Sequence, residues 1–145
     1  MTRIDFYFNA SDRIRMACKV AAKAYRRKLR VVVCVTDNES ARLIDHMMWS
    51  DEPTGFIPHC QSTHSLAMTT PVLITMRAEE SAHDEVLINL TNRPPEVFGR
   101  FQRLIEIVSL DAPDRASARD RFRFYKDRGY EIHHHDLSAR SDSAQ

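Results

Sequence analysis

The sequence predicts a three-layer α/β fold built on a mostly parallel sheet, and three observations carry that expectation. Val31-Val32-Val33-Cys34-Val35, Val86-Leu87-Ile88-Asn89-Leu90 and Leu104-Ile105-Glu106-Ile107-Val108 are apolar with little interruption. A strand with one wet face alternates in polarity, whereas near-continuous apolar runs suit strands covered on both faces, as in a parallel sheet. Amphipathic helical stretches separate strand-like runs, the ordering that builds α/β domains. A chain of 145 residues fits one domain.

Taken in order, Ile4-Asp5-Phe6-Tyr7-Phe8 alternates and is aromatic, so it reads as the first strand. Ser11 or Asp12 then caps a helix over 13–28, in which Ile14, Cys18, Ala21, Ala22 and Tyr25 recur at steps of three and four. Cations crowd the end of that helix, where they complement its dipole. Residues 31–35 form the second strand. Thr36, Asp37 and Asn38 offer caps for a second helix, whose apolar residues include Ala41, Leu43, Ile44, Met47 and Met48, with Trp49 at its close.

Residues 51–70 lack periodicity and read as a long ordered loop, a length that is often functional. Pro71 to Thr75 is the third strand, and Arg77 to Asp84 a polar, exposed connection. Residues 86–90 form the fourth strand, which with its predecessor leaves a local hairpin or an insertion open. Pro94 and Pro95 open a short helix buried through Val97, Phe98 and Phe101. Residues 104–108 are the fifth strand. The last helix starts at 111–114 and stops at Gly129, and Tyr130 to His133 is the sixth strand. A single domain over 1–133 followed by a polar, frayed tail over 134–145 is expected.

Composition excludes several functions. The net charge is only +1, whereas a generic nucleic-acid binder draws its affinity from a strong basic excess. No sequence-specific nucleic-acid contact is therefore expected. The three glycines, Gly55, Gly99 and Gly129, cannot supply either a dinucleotide turn or a phosphate loop. A nucleophile elbow is also absent. No apolar run approaches the ~18–20 residues of a membrane span, and the N-terminus has no signal-peptide core. Cys18, Cys34 and Cys60 lack zinc-site spacing, and their odd number fits a reducing cytoplasm.

Candidate chemistry is sparse. His133-His134-His135 forms a cluster, but successive strand residues point to opposite faces, which argues against a metal site. His59 has no identifiable partner carboxylate. Glu79, Glu80, Asp84 and Glu85 read as a solvated face. No cofactor, metal or catalytic residue is expected.

The informative stretch is the last helix. Arg115, Arg119, Arg123 and Lys126 repeat at steps of four, four and three, which stacks them in one stripe. Ala118, Phe122 and Tyr125 make a second stripe that faces a core or a pocket edge. Cations beside an aromatic edge suit a short acidic peptide with an apolar tip. Trp49 and Phe56 form a second feature, either filling the edge of the core or serving as interface anchors.

Several segments carry a family resemblance: Asp5-Phe6-Tyr7, Leu43 to Trp49, Thr54-Gly55-Phe56-Ile57-Pro58-His59, Pro71-Val72, residues 86–90, Ala118-Arg119-Asp120-Arg121-Phe122-Arg123-Phe124-Tyr125 and Gly129-Tyr130. In this order they resemble the chi subunits of bacterial DNA polymerase III holoenzyme, accessory proteins of the clamp loader. The resemblance runs from residue 5 to about 133. It implies a Rossmann-like fold without a nucleotide site, no catalysis, and a role in DNA replication. It further implies binding of the acidic, Ile-Pro-Phe-ended C-terminal tail of single-stranded-DNA-binding protein at Arg115, Arg119, Phe122 and Arg123. A separate aromatic surface, here Trp49 and Phe56, would bind the psi subunit of the clamp loader where one exists. The family often has tyrosine where this chain has Phe122, so a phenol hydrogen bond is lost there. The alternative from another class is a small-molecule or nucleotide-binding α/β enzyme with its site at the strand ends.

Overall fold

The structure, a computed structural model, describes residues 1–50, 59–61 and 70–139. Its strands are β1 (Arg3–Ala10), β2 (Val31–Cys34), β3 (His59–Gln61), β4 (Val72–Thr75), β5 (Val86–Asn89), β6 (Arg103–Ser109) and β7 (Ile132–Asp136). Its α-helices are α1 (Arg13–Arg26), α2 (Asn38–Ser50) and α3 (Ala112–Asp127). The strands form one sheet in the order β3-β4-β2-β5-β6-β1-β7, and every pairing is parallel. The expected α/β architecture is therefore the observed one.

The sheet divides the core in two. Val31, Val33, Ile74, Ile88, Ile105 and Ile107 pack with Ala17, Ala21 and Ile44 from the α1 and α2 side. Ile4, Phe6, Val32, Leu87, Leu104 and Val108 pack with Ala118 and Tyr125 of α3 and with Phe98 and Phe101. Neighbouring residues of one strand, such as Val31 and Val32, belong to opposite layers. That is why these runs show no polar alternation.

The helix ends follow from local chemistry. Asp12 caps α1 by accepting from the Arg15 N–H at 3.0 Å. α3 stops at Gly129, whose φ of +85° is left-handed. Gly129 and Tyr130 N–H groups return to the Lys126 and Tyr125 carbonyls at 3.0 and 3.2 Å, a Schellman closure. Lys28 makes the same closure after α1 with φ 64°, using a non-glycine residue in that conformation.

Five sequence expectations need correction. The loop expected over 51–70 contains β3, which places His59 and Cys60 in a sheet-edge strand paired with β4. The strands at 72–75 and 86–89 form no hairpin; they lie on either side of β2, because β2 offers both of its edges. The connection at 77–84 is not simply exposed. Ala78, Ser81 and His83 are buried there, and Arg100 donates to the Ala78, Ser81 and His83 carbonyls at 3.3, 2.7 and 3.2 Å. The short helix expected after Pro94 shrinks to a single 3-10 turn, Phe98–Arg100. Finally, the folded unit passes residue 133: β7 continues to Asp136, and Leu137 is buried. Its histidines gave the strand a polar look, but each has a specific neighbour, described below.

Candidate functional site

The carboxyl ends of β1, β6 and β7 meet the first turns of α3 on one side of the sheet, and a cleft of about 270 Å³ opens there. Alternation along β1 sends Ile4, Phe6 and Phe8 to that side. Phe6 is buried and Phe8 half-buried, and with Val108 they make an apolar floor. Ala118 and Phe122 of α3 form the wall, and Arg115 and Arg119 form the rim. His134 closes the third side, with its ring centroid 5.3 Å from that of Phe122 and 6.2 Å from that of Phe8. Among the described residues no Asp or Glu lines the cleft. Its rim is therefore locally cationic although the whole chain is nearly neutral.

Helical geometry explains the grouping. Arg115, Ala118, Arg119 and Phe122 are related by steps of three and four, so they share one face of α3. Ala118 leaves space for the cleft. Phe122 packs edge-on against Phe6, with centroids 5.7 Å apart at 71°. The Lys126 ammonium lies 6.0 Å from the centre of the Phe122 ring, which adds a cation to its outer face. Arg123, the fourth member expected of this site, is not among the lining residues. Its side chain is 70% exposed and sits 3.7 Å from Asp120 on the outer surface.

Beneath this face lies a polar network that sequence reading missed. Arg121 and Glu106 are 1% and 0% exposed, with Nε and Oε1 3.0 Å apart. Glu106 Oε2 also accepts from Tyr125 Oη at 2.5 Å and from Asn89 Nδ2 at 2.9 Å. Arg121 Nη1 donates to Ser117 Oγ at 2.6 Å, and Ser117 Oγ donates to the Asn92 carbonyl at 3.0 Å. Desolvation pushes the Glu106 carboxyl above its ordinary value, against the pull of Arg121, Tyr125 and Asn89. Desolvation and the adjacent carboxylate likewise raise the Tyr125 phenol. One signal for this network was present in the sequence: an acid in the middle of a doubly covered strand needs a cation.

The start of α3 is tied down separately. Asp114 Oδ2 accepts from the Ser109 N–H at 2.7 Å and faces Arg13 at 3.6 Å. Arg13 also donates to the Ile107 and Thr91 carbonyls at 2.7 and 3.0 Å. These contacts hold the helix that bears the rim against the ends of β5 and β6.

The other candidates sort differently. His133 approaches Glu131 at 3.0 Å, while His135 Nε2 lies 2.8 Å from Asp5 Oδ1 and stacks on Tyr7 at 4.4 Å. His134 faces the opposite side of the sheet, in the cleft. His59, expected to lack a carboxylate partner, has Asp45 Oδ1 3.0 Å from its Nε2, a contact that joins β3 to α2. Cys18 and Cys34 are buried, and burial pushes the Cys34 thiol up to about 11, far from a reactive thiolate. Trp49 falls in the last turn of α2. Its side chain and the whole of Phe56 lie outside the described residues. Among the described residues no helix is long and apolar enough to cross a membrane.

Residues 1–133 match the family model described as DNA polymerase III chi subunit, HolC. The DNA polymerase III subunit chi of Pseudomonas aeruginosa is 34% identical over 94% of this chain and 98% of its own length. Those of Haemophilus influenzae and Escherichia coli are 26% and 23% identical, each over 81% of this chain and over 82% and 81% of their own lengths. The chain belongs to the DNA polymerase III chi-subunit family, whose members are accessory rather than catalytic subunits in DNA replication. That membership sets aside the α/β enzyme considered as the alternative.

Proposed function

We propose that this member of the chi family couples the replicative polymerase to coated single strands, by gripping the acidic C-terminal tail of single-stranded-DNA-binding protein in the cleft between α3 and the ends of β1 and β6. The observation that carries this reading is the pairing of a cationic rim, free of carboxylates among the described residues, with an aromatic floor. A peptide ending in Phe presents both an apolar ring and a terminal carboxylate. The ring would enter between Phe6, Phe8, Val108 and Phe122. Arg119 or Arg115 would take the carboxylate, because a guanidinium can bond both of its oxygens at once. Capture of a chain terminus in this way is a known recognition mode.

Magnitudes divide the work. Exposed ion pairs contribute about 0–1 kcal/mol each and are screened by salt. The buried ring and its carboxylate therefore supply most of the affinity, and the remaining cations steer. Binding in the range of roughly micromolar Kd is expected, weakening as salt rises. Arg123, outside the cleft, contributes only through that steering field. The clamp-loader psi subunit, where present, is assigned to the region of Trp49 and Phe56, and the protein acts in the cytoplasm without a cofactor.

The test is fluorescence polarisation with a labelled acidic peptide ending in Ile-Pro-Phe. Arg119→Ala should weaken binding about tenfold or more, as expected for loss of a charge-assisted contact of about 1.5–3 kcal/mol. Unchanged affinity in Arg119→Ala and in Arg115→Ala would remove the cleft from consideration.

A further inference from the structure

A second cleft of about 280 Å³ lies on the other side of the carboxyl end of β1. Asn9 lines both clefts, so the two adjoin at this residue. The second cleft is bounded by Met16, Leu110 and Leu137 and carries two cations of α1, Arg15 and Lys19. These lie one turn apart on one helical face. The acid that lines it, Asp12, is engaged as the cap of α1 through the Arg15 N–H at 3.0 Å. Lys19 is half-buried and has no ion-pair partner among the described residues.

We propose that this second cleft receives the upstream acidic residues of the same peptide whose apolar terminus occupies the first, with Lys19 and Arg15 as their counter-charges. The inference rests on the reading of the first cleft given above and adds the course of the peptide beyond it. Neither cleft alone reaches the roughly 300 Å³ at which sites for drug-sized ligands begin; the two share Asn9 as a wall, so a chain leaving the first passes beside the second. The junction is fixed. Asn9 holds a left-handed backbone at φ 65°, and its Nδ2 donates to Asp136 Oδ1 at 2.9 Å. The competing course, outward along α3, meets Arg123 already paired with Asp120.

The proposal is tested by comparing two labelled peptides, a short Ile-Pro-Phe-ended probe and the same probe preceded by several aspartates. Wild-type protein should bind the longer one about three- to tenfold more tightly, the gain expected from one or two screened ion pairs. Lys19→Glu, with Lys19→Gln as a second variant should the first not fold, should remove most of that gain while leaving the short probe within about twofold. If the gain survives in the Lys19 variants, or is instead lost in Arg123→Ala, the second cleft is not used and the inference is overturned. If the short probe fails to bind the wild-type protein at all, the reading of the first cleft fails, and this one with it.

Discussion

Removing Arg121 while leaving Glu106 in place should cost about 3–5 kcal/mol, the usual result of stranding a buried charge. The geometry here gives no relief. Arg121 is 1% exposed and its carboxylate partner 0%, so water cannot replace the lost guanidinium without opening the layer between α3 and the sheet. At the observed 3.0 Å separation, an effective dielectric of about 20 gives an attraction of roughly 5 kcal/mol before desolvation is counted. The assay is urea unfolding of Arg121→Met at constant m-value. For a chain of this length the loss corresponds to about 10–15 °C in Tm. The cost should also depend on pH, with a definite sign. Without Arg121 the Glu106 carboxyl moves further above its ordinary value of 4.5. Between that value and the raised one, the folded state holds a proton that the unfolded state has released. Stability then rises as pH falls through that window, so the deficit of Arg121→Met should be smaller at pH 5 than at pH 8. A triple variant, Arg121→Met with Glu106→Leu and Tyr125→Phe, should recover most of the loss, since no charge or phenol remains stranded and Asn89 Nδ2 keeps the Arg93 carbonyl at 3.0 Å. A deficit below about 1 kcal/mol, or one independent of pH, would refute the claim that this pair is a buried, coupled element.

Further predictions follow from the same contacts. Asp5 is fully buried; desolvation opposes its charge, but hydrogen bonds from His135 and Arg103 overcome this and hold its carboxyl below the ordinary 3.8. Its contribution is therefore complete above pH 3.8 and is lost as pH falls through the depressed value, so Asp5→Asn should flatten the acid limb of the stability–pH profile. Gly129→Ala should cost about 1 kcal/mol from backbone strain alone, since a Cβ there meets nothing within 4 Å. Lys28→Gly, at the equivalent left-handed position after α1, should stabilise the fold by about 0.5–1 kcal/mol in thermal unfolding. Phe122→Ala should weaken peptide binding in the polarisation assay by more than it lowers Tm, because its ring is only half-buried; an equal or larger loss of stability would make it a core residue instead.

What the sequence disclosed depended on periodicity. Runs such as 31–35 and 104–108 declared buried parallel strands because hydrophobicity on both faces leaves a one-dimensional trace. The cationic stripe of Arg115, Arg119, Arg123 and Lys126, and the apolar one of Ala118, Phe122 and Tyr125, are legible for the same reason: a helix converts spacing into a face. The floor of the cleft was not, because Phe6, Phe8, Val108 and His134 come from three strands that are adjacent only through the order β6-β1-β7. His134 was assigned to a tail because histidine lacks strand character in a linear reading, yet its ring completes the aromatic wall beside Phe122. Arg123 shows where that conversion of spacing into a face weakens. Steps of four rotate a helix by about 40° beyond a full turn, so a stripe drifts, and by its third member it has left the cleft.

The end of β1 shows why this sheet edge carries cationic side chains in place of a glycine-rich backbone turn. In dinucleotide-binding α/β domains the turn after the first strand is glycine-rich so that a phosphate can approach main-chain amides at a helix N-terminus. Here the turn is Asn9-Ala10-Ser11-Asp12. Asn9 takes the left-handed conformation that glycine would supply, but its carboxamide occupies the approach and is bonded to Asp136. Asp12 then places a carboxylate on the Arg15 N–H at the start of α1, where it would repel an incoming phosphate. With that carboxylate at the helix start, the positive charge near this edge comes from Arg115 and Arg119 on one side and Arg15 and Lys19 on the other. Such cations sit on flexible stems, spaced by helical turns, and suit an extended acidic chain better than a compact phosphate. Asn9→Gly would therefore not create a nucleotide site, because Asp12 still blocks the helix end. It should instead loosen the Asp136 contact and lower Tm by a few degrees without conferring any ATP- or NAD-dependent stabilisation. A nucleotide-induced rise in Tm in that variant would show that the side chain of Asn9, not the architecture of the turn, is what excludes the phosphate.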